Sequence, residues 1–199
     1  MVLNNTFNQR RPTTLRAKVL VVGDEKVGKT SIIQMITSDG THFPKQYNMT
    51  ITVEEILKNY LVPNSSDSVE MYFFDCSGKE SLYSKNETFW ENGSIIMAVF
   101  DLSQPQTLRN VTKWMDRAIK QAGELSPMVV LIGNKKDLDN DYCNTPERAQ
   151  DIDSVCKKYG AKFFEVCAKE NLSLEEPFKH ACHMYHELFL NRISSISSS

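Results

Sequence analysis

Residues 21–30, VVGDEKVGKT, contain the strongest indication of a fold in this chain. A run of small aliphatic residues leads into a loop that holds Gly23 and Gly28 and ends at Lys29 and Thr30. The spacing fits the pattern G-x-x-x-x-G-K-[ST], which surrounds phosphate groups with backbone N–H donors. The residues before the loop read as a strand, and those after it, KTSIIQMITS, read as a helix. The sequence therefore predicts a phosphate-binding loop; the alternative is a glycine-rich turn with a surface lysine.

Each residue type in this loop suits a polyphosphate. The glycines allow the chain to turn and to approach the ligand closely, so that successive N–H groups point at oxygens. The helix that follows adds the positive end of its dipole. Lys29 supplies a cation for the terminal phosphates, and Thr30 supplies a hydroxyl for Mg²⁺.

The rest of the chain predicts a parallel sheet with one hairpin. Nearly continuous aliphatic runs are typical of strands that are covered on both faces. Such runs occupy residues 17–23, 94–101, 127–134 and, in shorter form, 162–166. Segments 52–62 and 68–75 flank a turn-rich PNSSD, which predicts an antiparallel hairpin.

Helical patterns lie between these strands. Apolar residues recur at three- and four-residue spacing through 105–121. The segment 145–160 has a threonine cap, a proline at the first helical position and a terminal glycine. A last helix is predicted after a capping box formed by Ser173 and Glu176. Alternating strands and helices predict a doubly wound α/β domain.

Length and composition allow one such domain. The chain has 199 residues, of which 41% are hydrophobic, and this suffices for a single buried core. We assign residues 17–191 to the domain and residues 1–16 and 192–199 to flexible polar tails.

The bulk properties exclude several classes of protein. A net charge of -2 provides no basic field for nucleic acid or for an anionic membrane. The five cysteines are scattered and odd in number, which predicts free thiols in a reducing compartment. No apolar run approaches the roughly 20 residues of a membrane span. The ending NRISSISSS has no cysteine, so we expect no lipid anchor and a soluble intracellular protein.

The segment GNKKDL indicates which base the site reads. It places Asn134, Lys135 and Asp137 at the end of a buried strand, where α/β sheets bind ligands. A carboxylate at Asp137 can accept hydrogen bonds from both N1–H and the 2-amino group of guanine. Adenine has no such donor pair and would leave the carboxylate unpaired. Read alone, NKKD is also consistent with a polar turn.

Further residues complete the predicted site. Asp75 ends a strand and suits a Mg²⁺ ion held through water, and Gly78 can offer its N–H to a terminal phosphate. Thr50 lies in a loop 20 residues after Thr30 and can complete the metal shell only when the terminal phosphate is present. The segment 167–169, CAK, follows the last strand, where a backbone N–H can reach the guanine oxygen.

In this order, the motifs GDEKVGKT, YNMTIT, DCSGKE, NKKD and CAK resemble those of the Ras-superfamily small GTPases. The resemblance covers about residues 17–190 and implies a six-stranded, mostly parallel sheet with one antiparallel hairpin and five helices. It also implies that Phe43 lies against the guanine ring. Residues 39–52 (switch I) and 76–92 (switch II) would be the two switch loops, ordered by the γ-phosphate of GTP.

Motifs and resemblance together imply bound GTP or GDP with Mg²⁺. The predicted nucleotide-binding residues are Gly23, Asp24, Glu25, Lys26, Val27, Gly28, Lys29, Thr30, Ser31, Phe43, Tyr47, Thr50, Asp75, Gly78, Asn134, Lys135, Asp137, Cys167, Ala168 and Lys169. The predicted metal-binding residues are Thr30, Thr50 and Asp75, and the predicted catalytic positions are Lys29, Thr50 and Lys79.

Within the superfamily the chain is similar to the Rab-like GTPases. The stretches SDGTHFPKQY and DSVEMYFFDCSGKE are most similar to the Rab-like type that belongs to intraflagellar transport complex B. This resemblance implies a location in the cilium or flagellum. It also implies a stable heterodimer with a small β-sandwich subunit of the same complex, and protein partners bound through the switch loops.

Two departures from the family pattern bear on mechanism. Lys79 stands where the family usually has glutamine, and an ammonium donates but cannot accept a hydrogen bond from the attacking water. Glu25 replaces a small residue and can crowd an arginine supplied by an activating protein. We therefore predict slow intrinsic hydrolysis. The alternative is that Lys79 is a solvated residue and a partner positions the water.

Other interpretations remain open on sequence alone. The chain can be a nucleotide-dependent switch, or a structural subunit that keeps nucleotide as part of its fold. A P-loop kinase lacks support because the chain has no arginine-rich lid segment. Tyr83, Phe89 and Trp90 can form an effector patch in switch II, or Phe89 and Trp90 can pack in the core beneath it.

Overall fold

The computed structural model describes residues 11–123, 126–138 and 145–197. Their central feature is a six-stranded sheet with the strand order β2-β3-β1-β4-β5-β6. The strands are β1 (Thr14–Val22), β2 (Glu54–Leu61), β3 (Ser68–Asp75), β4 (Ile95–Asp101), β5 (Met128–Asn134) and β6 (Lys162–Glu165). Only β2 and β3 pair antiparallel among these strands; the other neighbours are parallel. The predicted sheet is therefore confirmed.

Five α-helices are present in the described ranges, as the resemblance implies. They are α1 (Lys29–Thr37), α2 (Tyr83–Asn86), α3 (Pro105–Gln121), α4 (Pro146–Tyr159) and α5 (Glu176–Ser197). Short 3-10 turns, Glu80–Leu82 and Glu87–Phe89, flank α2, so that the middle of switch II is helical. The side chain of Thr145 caps α4 by accepting from the N–H of Arg148, and Gly160 ends that helix in the left-handed conformation, as predicted.

Three predicted boundaries differ from the structure. Strand β1 begins at Thr14, ahead of residue 17, because Thr14 pairs with Ser68 of β3. Helix α5 continues past residue 191 to Ser197, so these last residues are helical. The capping box at Ser173 is wrong: Ser173 has φ 51, whereas an N-cap residue is extended. Residues 1–10 lie outside the described ranges, and the mobility of both tails stays a prediction.

The sheet separates two hydrophobic clusters. One cluster contains the inner faces of α1 and α5, with Ile33 and Phe178 at its centre. The other contains α3 and α4, with Trp114 and Met115 packed on the opposite face. Because both faces are covered, every residue of β4 is buried, which is why its sequence is continuously aliphatic.

The parallel strands bring the predicted site residues to one edge of the sheet. In the pairing register, Asp75 lies opposite Val21, and Asp101 lies opposite Asn134. The phosphate loop after β1 and the NKKD segment after β5 therefore meet at the carboxyl ends of the strands.

Two further expectations concern the membrane and the thiols. In the described part of the chain, none of the helices combines the length and the apolar character that crossing a bilayer requires. Cys76, Cys156, Cys167 and Cys182 are free thiols, as predicted, and Cys143 lies outside the described residues.

Candidate functional site

The loop after β1 has a backbone that requires glycine at two positions. Gly23 has φ 140, and a Cβ atom there would lie 2.1 Å from the carbonyl oxygen of Val99. Gly28 has φ 100, and a Cβ atom there would lie 2.3 Å from Nδ2 of Asn134. Gly28 also precedes the first residue of α1, whose N-terminus receives no side-chain cap within the described residues. The N–H groups at this end of α1 can therefore face an anion.

Lys29 is a buried ammonium at the bottom of this loop. Its Nζ donates to the carbonyl oxygens of Gly23, at 2.9 Å, and of Asp24, at 2.8 Å. Burial lowers the pKa of Lys29 to about 8, and attraction to Asp75 only partly opposes this effect. Carbonyl groups orient the ammonium but do not neutralise it, so the site favours a polyanion at Lys29.

Three oxygen-bearing side chains meet next to Lys29. The hydroxyl of Thr30 donates to Oδ2 of Asp75 at 2.6 Å, and Oγ1 of Thr50 lies 3.1 Å from Oγ1 of Thr30. Asp75 is fully buried, and its Oδ1 has no hydrogen-bond partner within the described residues. Burial raises the pKa of Asp75, while the Thr30 hydrogen bond and the Lys29 charge oppose it.

This cluster fits Mg²⁺. The ion prefers hard oxygen ligands and keeps several of its waters. One such water can donate a hydrogen bond to the unpartnered Oδ1 of Asp75. The hydroxyls of Thr30 and Thr50 are the direct oxygen ligands available beside it.

Asn134 connects the phosphate loop to the other end of the site. Its Nδ2 donates to the carbonyl oxygen of Val27 at 2.9 Å, and its Oδ1 accepts from the N–H of Ala168 at 3.1 Å. Asn134 is buried, so these bonds join the phosphate loop to the CAK segment. The neighbouring Lys135 forms an ion pair with buried Asp101, with 2.7 Å between Nζ and Oδ2.

Asp137 presents its carboxylate at the same end. Its Oδ1 accepts from the thiol of Cys167 at 3.1 Å, and its Oδ2 lies 3.4 Å from Nζ of Lys169. Burial would raise the pKa of Asp137, but the hydrogen bonds from Cys167 and Lys169 outweigh it and hold the pKa below the ordinary value. The carboxylate is therefore ionised at neutral pH and can act as an acceptor for a base.

A cleft of about 320 Å³ connects the two ends. The predicted residues that line it are Glu25, Lys26, Gly28, Lys29, Thr30, Ser31, Phe43, Tyr47, Thr50, Gly78, Asn134, Lys135, Asp137, Ala168 and Lys169. Sequence reasoning missed further lining residues, which are Gln34, Pro44, Gln46, Asn48, Met49, Ser77 and Leu138. Most of these residues lie in switch I or next to a motif residue, so the sequence indicates their segments. No sequence pattern distinguishes the individual residues within those segments.

Five predicted residues lie behind the cleft wall. Gly23 and Val27 contribute through their carbonyl groups, and Asp75 and Cys167 through the side chains they orient. The carboxylate of Asp24 points away from the cleft toward α3. There it accepts from Nδ2 of Asn110 and from Nε1 of Trp114, both at 2.7 Å.

Lys79, one of the three predicted catalytic positions, does not line the cleft, whereas Lys29 and Thr50 do. Lys79 lines a second cavity of about 740 Å³ between the phosphate loop, residues 78–81 and α3. The neighbouring Glu80 is held on α3 by a two-pronged pair with Arg117, at 2.6 and 3.0 Å, and by Lys113 at 3.0 Å. The backbone after Gly78 is thus directed toward α3.

The two aromatic residues of switch II have different environments. Trp90 is fully buried, donates from Nε1 to Sγ of Cys76 at 3.0 Å, and packs edge-on against Trp114. Phe89 is 44% exposed. Trp90 therefore belongs to the core, and Phe89 alone of this pair is accessible to a partner.

Family comparison agrees with this arrangement. Residues 18–187 match the model of the Ras family, so the chain belongs to the Ras family of small GTPases. Members of this family bind guanine nucleotides, typically with Mg²⁺.

The relatives of this chain include intraflagellar transport proteins and a Rab protein. The chain is 34% identical to the intraflagellar transport protein 27 homolog of Mus musculus, over 90% of this chain and 95% of the relative. It is 29% identical to the homolog of Trypanosoma brucei brucei, over 92% and 97% of the two chains. Rab7 of Drosophila melanogaster is 30% identical over 81% of this chain and 76% of its own length. The chain is thus a Rab-like GTPase homologous to intraflagellar transport protein 27.

Proposed function

We propose that this protein binds GDP and GTP with Mg²⁺ in the cleft, hydrolyses GTP slowly, and works as a switch in intraflagellar transport. One observation carries the nucleotide assignment. A buried ammonium at Lys29 and an ionised carboxylate at Asp137 stand at opposite ends of one cleft. A guanine nucleotide carries the matching groups, a polyphosphate at one end and a pair of N–H donors at the other.

Different residues bind the phosphates, the base and Mg²⁺. Lys29 and the N–H groups at the start of α1 hold the phosphates, and Phe43 packs against the base. Asp137 accepts hydrogen bonds from N1–H and the 2-amino group of guanine. Asn134 holds the phosphate loop and the CAK segment in a fixed position relative to each other. Thr30, Thr50 and Asp75 would hold Mg²⁺, which when bound neutralises charge on the phosphate oxygens.

Slow hydrolysis is supported by the position of Lys79. This side chain lines the cavity beside α3 and not the nucleotide cleft. We infer that it is poorly placed to hold a water in line with the terminal phosphate. Its ammonium also cannot accept a proton from that water. Catalysis then depends on positioning and charge from Lys29, Thr50, the backbone N–H donors and Mg²⁺.

The test combines nucleotide content with a rate. Mass analysis of the purified protein should find GDP or GTP and no adenine nucleotide. A single-turnover time course should be slow, and Lys79→Gln should accelerate it. A fast wild-type rate, or calorimetry that shows equal affinity for GDP and ADP, would contradict the proposal.

The transport role is supported by the likeness to the intraflagellar transport protein 27 homologs. We assign the protein to complex B in the cilium or flagellum, as a heterodimer with a small β-sandwich subunit. Co-expression followed by light scattering should give a 1:1 complex. A monomeric chain in the presence of that subunit would refute the assignment.

A structural subunit is the second candidate, and the contacts of switch II favour it. Glu80 pairs with Arg117, and buried Trp90 packs on Trp114, so the chain's own side chains attach this segment to α3. Within the segment, buried Asn86 donates to the carbonyl oxygen of Ser77. A pull-down with GDP-loaded and GTP-loaded protein separates the candidates. Equal partner binding in both states indicates a scaffold, because a ligand without differential affinity shifts no equilibrium.

A further inference from the structure

Lys58 of β2 joins three segments that are distant in the sequence. Its Nζ donates to the carbonyl oxygen of Ile36 in the last turn of α1. The same Nζ lies 3.1 Å from Oδ1 of Asp39 and 2.9 Å from Oε1 of Glu175, just before α5. The side chain of Lys58 is only 18% exposed, so this ammonium is more shielded than an ordinary surface lysine.

One of these contacts, Asp39, is the first residue of switch I. Asp39 and Gly40 both have positive φ, 50 and 81, and together they form the turn by which the chain leaves α1. Gly40 packs so closely on the loop before α5 that a Cβ atom would lie 2.1 Å from Nδ2 of Asn171. The start of switch I therefore has two attachments to the 171–175 loop, one through Gly40 and one through Lys58.

The 171–175 loop is itself joined to the base-binding segment. Cys167 and Leu172 exchange backbone hydrogen bonds of 3.1 and 3.0 Å. Cys167 in turn donates to Asp137. Two segments that line the cleft, Phe43 in switch I and Asp137 after β5, are thus both connected to the 171–175 loop.

We propose that Lys58 is a positioning residue for nucleotide retention. It holds the start of switch I on the 171–175 loop, so that Phe43, four positions after Asp39, stays over the base. The inference rests on the proposed function, because it requires that the cleft holds a guanine nucleotide. Lys58 does not line the cleft and acts only through Phe43.

The contacts of Lys58 differ in strength. The Asp39 side chain is 87% exposed, so its ion pair alone contributes little. The Ile36 carbonyl and Glu175, whose side chain is 35% exposed, are better shielded. Removal of the ammonium takes the shared donor away from all three acceptors and leaves the Ile36 carbonyl with the N–H of Asp39 at 3.4 Å. We expect roughly tenfold faster loss of nucleotide.

The experiment measures dissociation of N-methylanthraniloyl-GDP from the full chain after a chase with excess GDP. Lys58→Met should release the probe roughly tenfold faster than wild type. Lys157→Met is the matched control, since it removes an exposed ammonium paired with Asp153 on α4. Its rate should equal that of the wild type.

A double-mutant cycle with Phe43→Ala separates positioning from general destabilisation. If Lys58 acts through Phe43, Lys58→Met should have almost no effect on the rate in the Phe43→Ala background. An undiminished effect in that background, or a wild-type rate for Lys58→Met, overturns the inference. A wild-type protein that fails to bind the probe overturns instead the proposed function.

Glu175→Gln keeps the test valid if Lys58→Met does not fold. This variant retains the ammonium and its contacts with Ile36 and Asp39. It should accelerate release by about threefold, again only when Phe43 is present. An unchanged rate for Glu175→Gln, where Lys58→Met cannot be prepared, also overturns the inference.

Discussion

Replacement of Gly28 by alanine should damage stability and nucleotide binding together. The new Cβ atom would lie 2.3 Å from Nδ2 of Asn134. A flexible side chain could move aside at little cost, but Asn134 is buried and holds both Val27 and Ala168 by hydrogen bonds. The clash must therefore break these bonds or displace the phosphate loop.

The cost follows from strain and lost hydrogen bonds. A non-glycine residue at φ 100 costs about 1–3 kcal/mol. Each lost buried hydrogen bond adds about 1 kcal/mol. Gly28→Ala should thus lower the free energy of unfolding by about 3–5 kcal/mol. Gly160→Ala is the control: φ is 61 there, but no atom lies within 4 Å of its Cβ, so only about 1 kcal/mol of strain applies.

Urea unfolding of the nucleotide-stripped proteins measures this difference, and calorimetry with GDP measures binding. We expect Gly160→Ala to bind GDP normally and Gly28→Ala to lose most of its affinity. If Gly28→Ala is no less stable than Gly160→Ala, Asn134 does not constrain the phosphate loop. The inference that buried Asn134 holds this loop in place would then be wrong.

Three further predictions follow from charged groups. Lys29 has a pKa of about 8 when folded and 10.5 ordinarily. The unfolded chain thus binds one more proton at Lys29 between these values, so this ammonium makes the unfolding free energy of the nucleotide-free protein rise from pH 8 to pH 10.5. Burial raises the pKa of thiols such as Cys76 and acts in the opposite direction above pH 9, so the rise should appear as the difference between wild type and Lys29→Met. Glu80→Gln breaks the exposed pair with Arg117; it should cost at most about 1 kcal/mol but accelerate hydrogen exchange in switch II. Asp137→Asn should weaken GDP binding roughly 100-fold or more in calorimetry, because an amide N–H group faces the donors of guanine.

The motifs that predicted the fold are recognised from residues that are close together in the sequence. The loop 23–30 needs a strand before it and a helix after it, and both are visible as local hydrophobic patterns. Strands β4 and β5 are recognisable because burial on both faces makes their sequences continuously aliphatic. The capping box at Ser173 failed because the 167–172 bridge forces the chain into a left-handed turn there.

These patterns did not predict the contacts of residues whose partners are distant in the sequence. Asp24 reads as a phosphate-loop residue, yet its carboxylate bonds to Trp114 of α3. Lys79 occupies the family's catalytic position, yet it lines a cavity beside that helix. Neither orientation has a local signal, since each depends on how α3 packs on β4 and β1.

The sequence alone determined the type of domain, the order of its elements and the phosphate and base motifs, because these follow from short-range periodicity and from loops of defined spacing. Only the tertiary structure decided which side chains share the cleft, which way switch II is held, and that Lys58 meets Glu175. Ion pairs and buried polar contacts between residues far apart in the chain exist only after packing has brought them together and removed water from between them.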